Sequence, residues 1–512
     1  MSRPVVRDFA AVLAAAVLLA LPFHLNFLWP LPYIAFIPYF FSIENKSTGR
    51  VVFQSYIFGV LFFAMAGYWL NYVNVFGFIA LTLYLGVYFA LFGYFVPRLL
   101  FSAAAPGRIR AAFYMAAVWV ILEWVRGWML SGLPWNLLGY SQWKNLPLIQ
   151  IADLTGAWGV SFFVMLANVL LFQFARHKKD ALRCVWALVA IAALVTGYGY
   201  LRLAQWNPGA ARPSIRVSVV QGNIPQDQKW DGRVRGIIFE KYKRLTLMCA
   251  NESSDLIVWP ETSFPGFFED EPVMAAHLRS TIRQAKTPTL VGAPTLGDLE
   301  GGLRFYNSAL LFSQNGEEGQ RYSKTHLVPF GEYLPLETIT GFLRHFVTIG
   351  RFSPGREKTI FLLPARLRNY LTARFGVLIC YEDVFPGLVR AEVRHGADFL
   401  VNITNDAWFG NTAAPYQHAQ ASVFRAVENR VPVVRATNTG FSCFISATGE
   451  VTNSVQDNGR EIMVTGHATE GIYLKKGFSL YNRLGDWFIV FCLALTWLSF
   501  RESPSSPRYS RL

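Results

Sequence analysis

Long runs without formal charge alternate with stretches of mixed sequence, and the change from one to the other divides the chain. Residues 9–43 contain no Asp, Glu, Lys or Arg. As one helix they would reach about 50 Å at ~1.5 Å per residue, against ~30 Å of bilayer hydrocarbon. Pro22, Pro30 and Pro32 interrupt the run, which predicts a hairpin of two spans. Arg3 and Arg7 ahead of an Ala/Leu run have the form of a signal peptide. More spans follow without a cleavage site, so the start reads as a retained signal anchor. Further spans are predicted over 52–73, 75–96, 111–130, 159–174, 184–200 and 484–500, making eight in all.

Between 214 and 476 the pattern changes. Short β-rich runs at 215–221, 256–258, 290–293, 306–312, 321–323, 375–379, 399–404, 433–436 and 441–446 alternate with amphipathic stretches at 235–249, 272–286 and 416–429. Strand and helix in alternation predict an α/β domain with a mixed sheet. The expected organisation is therefore 1–203 as seven spans, 214–476 as an inserted α/β domain, and 484–512 as a last span with a tail.

Composition agrees with this division. Of 512 residues 53% are hydrophobic and only 16% charged, where soluble chains carry about 25%. The net charge of +14 does not imply nucleic acid, because many basic residues flank the apolar runs. Arg3/Arg7, Lys46/Arg50, Arg98/Arg108/Arg110, Lys178/Lys179/Arg183 and Arg501/Arg508/Arg511 fall on one side, while the loops around His24, Asn74 and 135–153 are nearly free of Lys and Arg. The positive-inside rule then puts both termini in the cytoplasm and the α/β domain outside, which for a bacterial inner membrane is the periplasm. Cys184, Cys249, Cys380, Cys443 and Cys492 show neither CxxC nor metal-ligand spacing, so no disulfide framework, metal or cofactor is expected.

Three segments of the inserted domain share one grammar, an apolar run ending in a reactive polar residue. They are LIVWP-Glu261, RYS-Lys324-THLVPFGEYLP and FGVLI-Cys380-YED. In open α/β sheets, sites form at strand ends. Acyl transfer needs these three types of group: a thiol, a carboxylate to take its proton, and a cation for the thiolate and oxyanion. Taken singly, Cys380 reads as a small buried hydrophobe, Glu261 as a turn cap and Lys324 as a solvated loop residue.

Taken together, WPE, then K-x-H-L-V-P-F-G-E, then CYE, resemble the nitrilase (carbon–nitrogen hydrolase) superfamily. With flanking spans the chain is similar to its membrane-integrated branch, the bacterial apolipoprotein N-acyltransferases, over essentially its whole length. Gln221–Gln226 with Lys229-Trp230, Tyr306-Asn307, Asn405–Gly410, Glu123–Trp128 and Gly139–Gln142 also fit. The resemblance implies an αββα sandwich inserted in an eight-helix bundle. It implies transfer of an acyl chain from a phospholipid, preferably phosphatidylethanolamine, to the N-terminal amine of a diacylglyceryl-cysteine on an apolipoprotein, by a ping-pong route through a thioester. Carried over by position, Glu261 is the general base, Lys324 the oxyanion stabiliser and Cys380 the nucleophile. Glu332 supports the site and orients Lys324. Tyr381 and Glu382 match the residues after the nucleophile, Trp230 and Trp408 match substrate-loop aromatics, and Asn307 matches a supporting polar position. Thr262-Ser263 after WPE and Thr437–Gly440 depart from some relatives without touching the triad. A monomer is the default expectation.

Two other functions fit parts of the pattern. A membrane-tethered amidase or nitrilase would use the same three residues with water as acceptor. A receptor or transporter would need no chemistry, but only Glu123 and Arg126 place charges well inside a span. At i, i+3 those two share a helix face and can pair, either as structure or as a functional membrane-side pair. The tryptophan-rich loop 127–159 reads as an aromatic belt or as a lipid-binding mouth. Phe264–Phe268 and 334–352, the latter with Leu336, Ile339, Phe342, Arg344, His345, Phe346, Ile349 and Arg351, read as membrane-dipping lids or as loops packed into the protein.

Overall fold

The computed structural model describes residues 3–101, 107–178, 180–206, 214–299, 302–334, 350, 352–367, 370–474 and 477–502. The chain forms two compact units, one of Met1–Gln205 with Arg483–Leu512 and one of Trp206–Asn482.

The first unit is helical: α1 (Arg3–Ala20), α2 (Thr48–Ala66), α3 (Val75–Val96), α4 (Arg108–Arg126), α5 (Ala157–Arg176), α6 (Ala181–Gln205) and, from the far end of the chain, α11 (Trp487–Glu502). Among the described residues, five helices are long and apolar enough to cross a membrane: Val5–Phe23, Thr48–Ala66, Val75–Phe101, Ala157–Arg176 and Ala181–Gln205. α5 is the buried centre of the unit and α6 its outermost helix.

The expected hairpin within 9–43 is corrected. Its first limb is α1, but the second is three 3-10 turns, Leu21–Phe23, Asn26–Leu28 and Leu31–Tyr33, and a six-residue helix, Ile37–Ser42. Each proline removes an N–H and clashes with the preceding turn, so a continuous helix cannot form. Main-chain groups freed in this way must find other partners in an apolar bundle. Asn168 on α5 supplies two, donating to Pro32 O at 2.6 Å and accepting from Phe36 N at 2.9 Å. Gln142 donates to Trp29 O at 2.7 Å and accepts from Tyr33 Oη at 2.8 Å.

Glu123 and Arg126 both bond the main chain of the following loop. Glu123 accepts from Leu138 N at 2.6 Å, and Arg126 donates to Trp135 O at 2.7 Å and Leu133 O at 3.1 Å. The aromatic-belt expectation for this loop is also corrected. Trp135, Trp143 and Trp158 are buried within the unit and only Trp128 is exposed, because the loop folds back into the helices and its rings fill space there.

The second unit is an αββα sandwich. One sheet has strand order β12-β1-β2-β3-β4-β5 and the other β11-β10-β9-β8-β7-β6. The strands are β1 (Ser214–Gln221), β2 (Leu256–Val258), β3 (Thr289–Leu299), β4 (Gly302–Phe312), β5 (Glu318–Ser323), β6 (Ile360–Leu367), β7 (Tyr370–Ile379), β8 (Phe399–Thr404), β9 (Val433–Thr437), β10 (Cys443–Ile445), β11 (Val451–Ser454) and β12 (Gly466–Tyr473). In each sheet three neighbours run parallel, β1-β2-β3 and β7-β8-β9, and the rest are antiparallel.

The two-residue period of a strand places alternate side chains on opposite faces. Val219, Leu256 and Val258 point to the interior shared with Phe375, Val377, Ile379, Val401 and Ile403 of the other sheet. Val220, Ile257 and Trp259 point outward against helices α7 (Arg235–Ala250) and α8 (Pro272–Ala285). Helices α9 (Pro386–Arg394) and α10 (Ala414–Asn429) cover the second sheet. Burying both faces of both sheets explains why the strands read as nearly continuous apolar runs.

The expectation that Phe264–Phe268 dips into a membrane is overturned. Phe264 and Phe268 are buried in the domain's own core, 5.3 Å apart ring to ring, and Phe268 meets Phe312 at 5.8 Å. Apolar composition had two possible destinations, and here the pocket under β3 and β4 takes the rings. The corresponding expectation for 334–352 falls mostly outside the described residues.

Candidate active site

The three reactive residues sit just beyond strand ends. β2 runs into Trp259-Pro260-Glu261, β5 into Lys324 and β7 into Cys380. Trp259 anchors the first of these. It is buried, stacks on Tyr242 at 4.8 Å, and donates from Nε1 to Thr246 Oγ1 at 2.9 Å. The Glu261 turn crosses directly over Gly292, where a Cβ would lie 2.2 Å from Pro260 O and 2.7 Å from Glu261 Cα. Only glycine permits that approach.

Cys380 leaves the sheet with φ +55, a left-handed conformation that costs a non-glycine residue about 1 kcal/mol or more. The strained turn, Cys380–Val384, lifts the thiol out of the ladder. Glu382 holds it in place. Its Oε2 accepts from Ile379 N at 2.8 Å, on the strand that ends at Cys380. Its Oε1 accepts from Thr325 N at 2.7 Å, His326 N at 3.0 Å, Thr325 Oγ1 at 3.0 Å and Tyr322 Oη at 2.8 Å. One buried carboxylate therefore ties the end of β7 to the loop carrying Lys324. Burial pushes its pKa up, against the pull of those N–H donors and of Lys324. Glu382→Ala is expected to leave these donors unpaired and to cost about 3 kcal/mol, read as a lower apparent Tm together with lost activity.

Lys324 is buried between two carboxylates. Its Nζ lies 2.9 Å from the Glu332 carboxylate and 3.7 Å from Glu261 Oε1. Burial opposes its charge, but Glu332, Cys380 and Glu261 outweigh burial and hold the ammonium well above the usual lysine range. Asn307 links the acids, donating to Glu261 Oε1 at 2.6 Å and Glu332 Oε1 at 3.1 Å, and its main-chain O accepts from Lys324 N at 2.8 Å. Glu332 is itself fixed by Val328 N at 2.8 Å. Cys380 as a residue is half-buried. Burial pushes its pKa up first, the Glu261 charge adds to that, and Lys324 and the Thr404 hydroxyl act in the opposite sense. Burial and the Glu261 charge thus favour the neutral thiol over the thiolate.

Tyr381 is packed against Phe385 at 5.0 Å and His326 at 6.2 Å. Trp230 and Trp408 are half exposed on their loops. Glu123 and Arg126 belong to the first unit.

Sequence reasoning missed two features. One is Lys229, whose Nζ donates to Glu261 O at 3.0 Å. The other is a buried cluster behind the Cys380 turn. His418 bridges Asp383 Oδ1 at 2.9 Å and Asp406 Oδ1 at 3.0 Å, and Asp383 Oδ2 also bonds Arg435 at 2.6 Å and Ser422. Gly440 makes room for it, since a Cβ there would meet Asp406 Oδ2 at 2.2 Å. Lys229 and Asp406 lie in stretches that fit the family pattern, but nothing in those stretches tells which partners their side chains meet.

Burial alone would lower the His418 pKa, and Arg435 works the same way, but Asp383 and Asp406 raise it to about 9. The folded value lies above the unfolded value of about 6.5, so the stabilisation is complete below that pH and is lost as pH rises through about 9. The apparent Tm of the wild type minus that of His418→Gln is expected to shrink between pH 6.5 and 9.5. A constant difference would mean that His418 stays neutral.

Residues 15–170 match the apolipoprotein N-acyltransferase N-terminal domain family, and residues 216–470 match the carbon-nitrogen hydrolase family. The chain is 38% identical over 502 residues to an apolipoprotein N-acyltransferase of Geobacter metallireducens, covering 95% of this chain and 94% of that one. It is 33% identical to one of Methylococcus capsulatus, covering 86% of each. Among solved structures, an amidase from Nesterenkonia sp. matches with TM-score 0.40 and 17% identity, over 55% of this chain and 97% of that chain.

Proposed function

We infer that this chain, which belongs to the apolipoprotein N-acyltransferase family, acylates lipoproteins by a two-step transfer through Cys380, with a membrane phospholipid as donor. The observation that carries this reading is the Lys324 ammonium, locked between Glu261 and Glu332 beside the end of the nucleophile strand.

In the first step Glu261 takes the thiol proton, and Cys380 Sγ attacks the acyl ester carbonyl. The negative charge that forms on the carbonyl oxygen is met by Lys324. Collapse expels the lysophospholipid alkoxide, which recovers the proton from Glu261, and leaves a thioester. In the second step the amine of the lipoprotein's diacylglyceryl-cysteine attacks that thioester. Glu261 takes the amine proton and the Cys380 thiolate leaves. Asn307, Glu332 and Glu382 hold these groups in register, and Tyr381, Trp230 and Trp408 contribute substrate contacts.

Phosphatidylethanolamine is the donor of choice in this reading. The chain works as a monomer in a bacterial inner membrane, with its termini cytoplasmic and residues 214–476 periplasmic. The charge asymmetry of the loops supports that orientation.

The test supplies purified protein in bilayers with phosphatidylethanolamine and a synthetic diacylated lipopeptide. A triacylated peptide and a lysophospholipid in equal amounts are expected. Free fatty acid with unchanged peptide would replace this reading by a hydrolase.

A further inference from the structure

Lys229 is a buried lysine in an otherwise solvent-facing segment. Asp227, Gln228 and Trp230 around it are exposed, while Lys229 is only 5% exposed. Its segment joins β1 to α7 and is pinned by Asn438, which exchanges hydrogen bonds with Ile224 N at 2.9 Å and Ile224 O at 2.8 Å. Asn405 adds a bond to Gln226 at 2.8 Å. The side chain is thereby directed inward, where Nζ donates to the main-chain oxygen of Glu261.

Among the described residues no carboxylate lies within ion-pair distance of Lys229. A buried ammonium held by one neutral carbonyl is costly unless the surrounding field supports it. The groups that supply this field are Glu261, beyond β2, and, when it is ionised, Cys380, beyond β7; both favour the charged lysine, although burial dominates and brings its pKa down to about 8. Lys324, beyond β5, pairs with Glu332 and Glu261, while Asp406 acts on the Cys380 thiol against its ionisation and Glu382 feels the Lys324 charge. On its own segment, Asp231 is engaged with Arg233.

Charge bookkeeping gives this lysine a purpose. Of these groups, Lys229, Lys324, Glu261 and Glu332 taken alone sum to zero beside a thiol and to one negative charge with a thiolate. With Lys229 uncharged, the same two states carry one more negative charge, and thiolate formation becomes harder.

We propose that Lys229 is a positioning residue that holds the Glu261 turn by its main chain and supplies the second positive charge under which the Cys380 thiolate forms. This rests on Cys380 being the nucleophile. Lysine and thiol then titrate as a coupled pair: the thiol proton is held more loosely while Lys229 is charged, and the Lys229 proton more loosely while no thiolate is present. Acylation removes the thiolate and so loosens the Lys229 proton at the stage when the acceptor amine arrives.

The test needs no catalysis. The rate of iodoacetamide alkylation of Cys380, read from its own peptide, is followed against pH in wild type, Lys229→Gln, Lys229→Met and Lys229→Arg. In the Gln and Met variants the midpoint is expected to rise by about one pH unit, roughly tenfold slower alkylation at a fixed pH below it, and arginine is expected to restore most of the shift. A wild-type midpoint in the Gln and Met variants would overturn the proposal and leave Lys229 a structural residue.

A companion measurement keeps the wild-type chain, so a variant that fails to fold does not decide the matter. Amine labelling of Lys229 against pH is compared after Cys380 is alkylated with iodoacetamide, which leaves a neutral adduct, and with iodoacetate, which places a carboxylate at the sulfur; the midpoint is expected to be higher in the second. Equal midpoints would likewise overturn the coupling. Lipopeptide acylation that survives Cys380 alkylation would instead refute the nucleophile assignment, a separate outcome.

Discussion

Cys380→Ala is expected to abolish both the acyl-enzyme and lipopeptide acylation, a loss of at least about 10³-fold. The fold is expected to survive, because alanine meets the same left-handed backbone as cysteine at φ +55 and Glu382 still clamps the turn through Ile379, Thr325 and His326. Cys380→Ser is expected to be almost as impaired. A serine hydroxyl is far less acidic than a thiol, and this pocket already disfavours the anion through burial and Glu261. An unchanged apparent Tm with no acyl adduct would separate chemistry from folding.

Lys324→Ala is expected to slow acyl-enzyme formation by ~10²- to 10³-fold, the range for a lost oxyanion-stabilising group. The damage extends beyond the missing cation. Glu261 and Glu332, bridged by Asn307, would then share a buried site without the ammonium that stands 3.7 and 2.9 Å from them. Like charges so placed repel each other, which disturbs the geometry in which Asn307 holds Glu261. Single-turnover acylation by phospholipid measures both effects, and a rate within a few-fold of wild type would take Lys324 out of the mechanism.

The reactive ends of the strands were legible because strand, breaker and chemistry are adjacent in sequence: LIVWPE, RYSK and FGVLIC each announce their own turn. What Glu382 does was not legible, since its clamp reaches residues 325 and 326 on another sheet's loop. Lys229 was passed over as a substrate-loop neighbour of Trp230, because a lysine among Asp, Gln and Trp is solvated by default; its direction is fixed by Asn438, more than two hundred residues away. The second limb of the first hairpin failed for a similar reason. Prolines forbid the helix, and Asn168 and Gln142 make the broken backbone tolerable inside the bundle. Phe264 and Phe268 show that apolarity in a loop does not tell core from membrane; only the cavity under β3 and β4 decides it.

The most direct test of the central claim is the intact mass of the protein after incubation with phosphatidylethanolamine alone. A gain of one acyl chain on Cys380, absent from Cys380→Ala and discharged by a diacylated lipopeptide, is the predicted result. A lipopeptide acylated at full rate by Cys380→Ala, with no adduct on the wild type, would contradict the account.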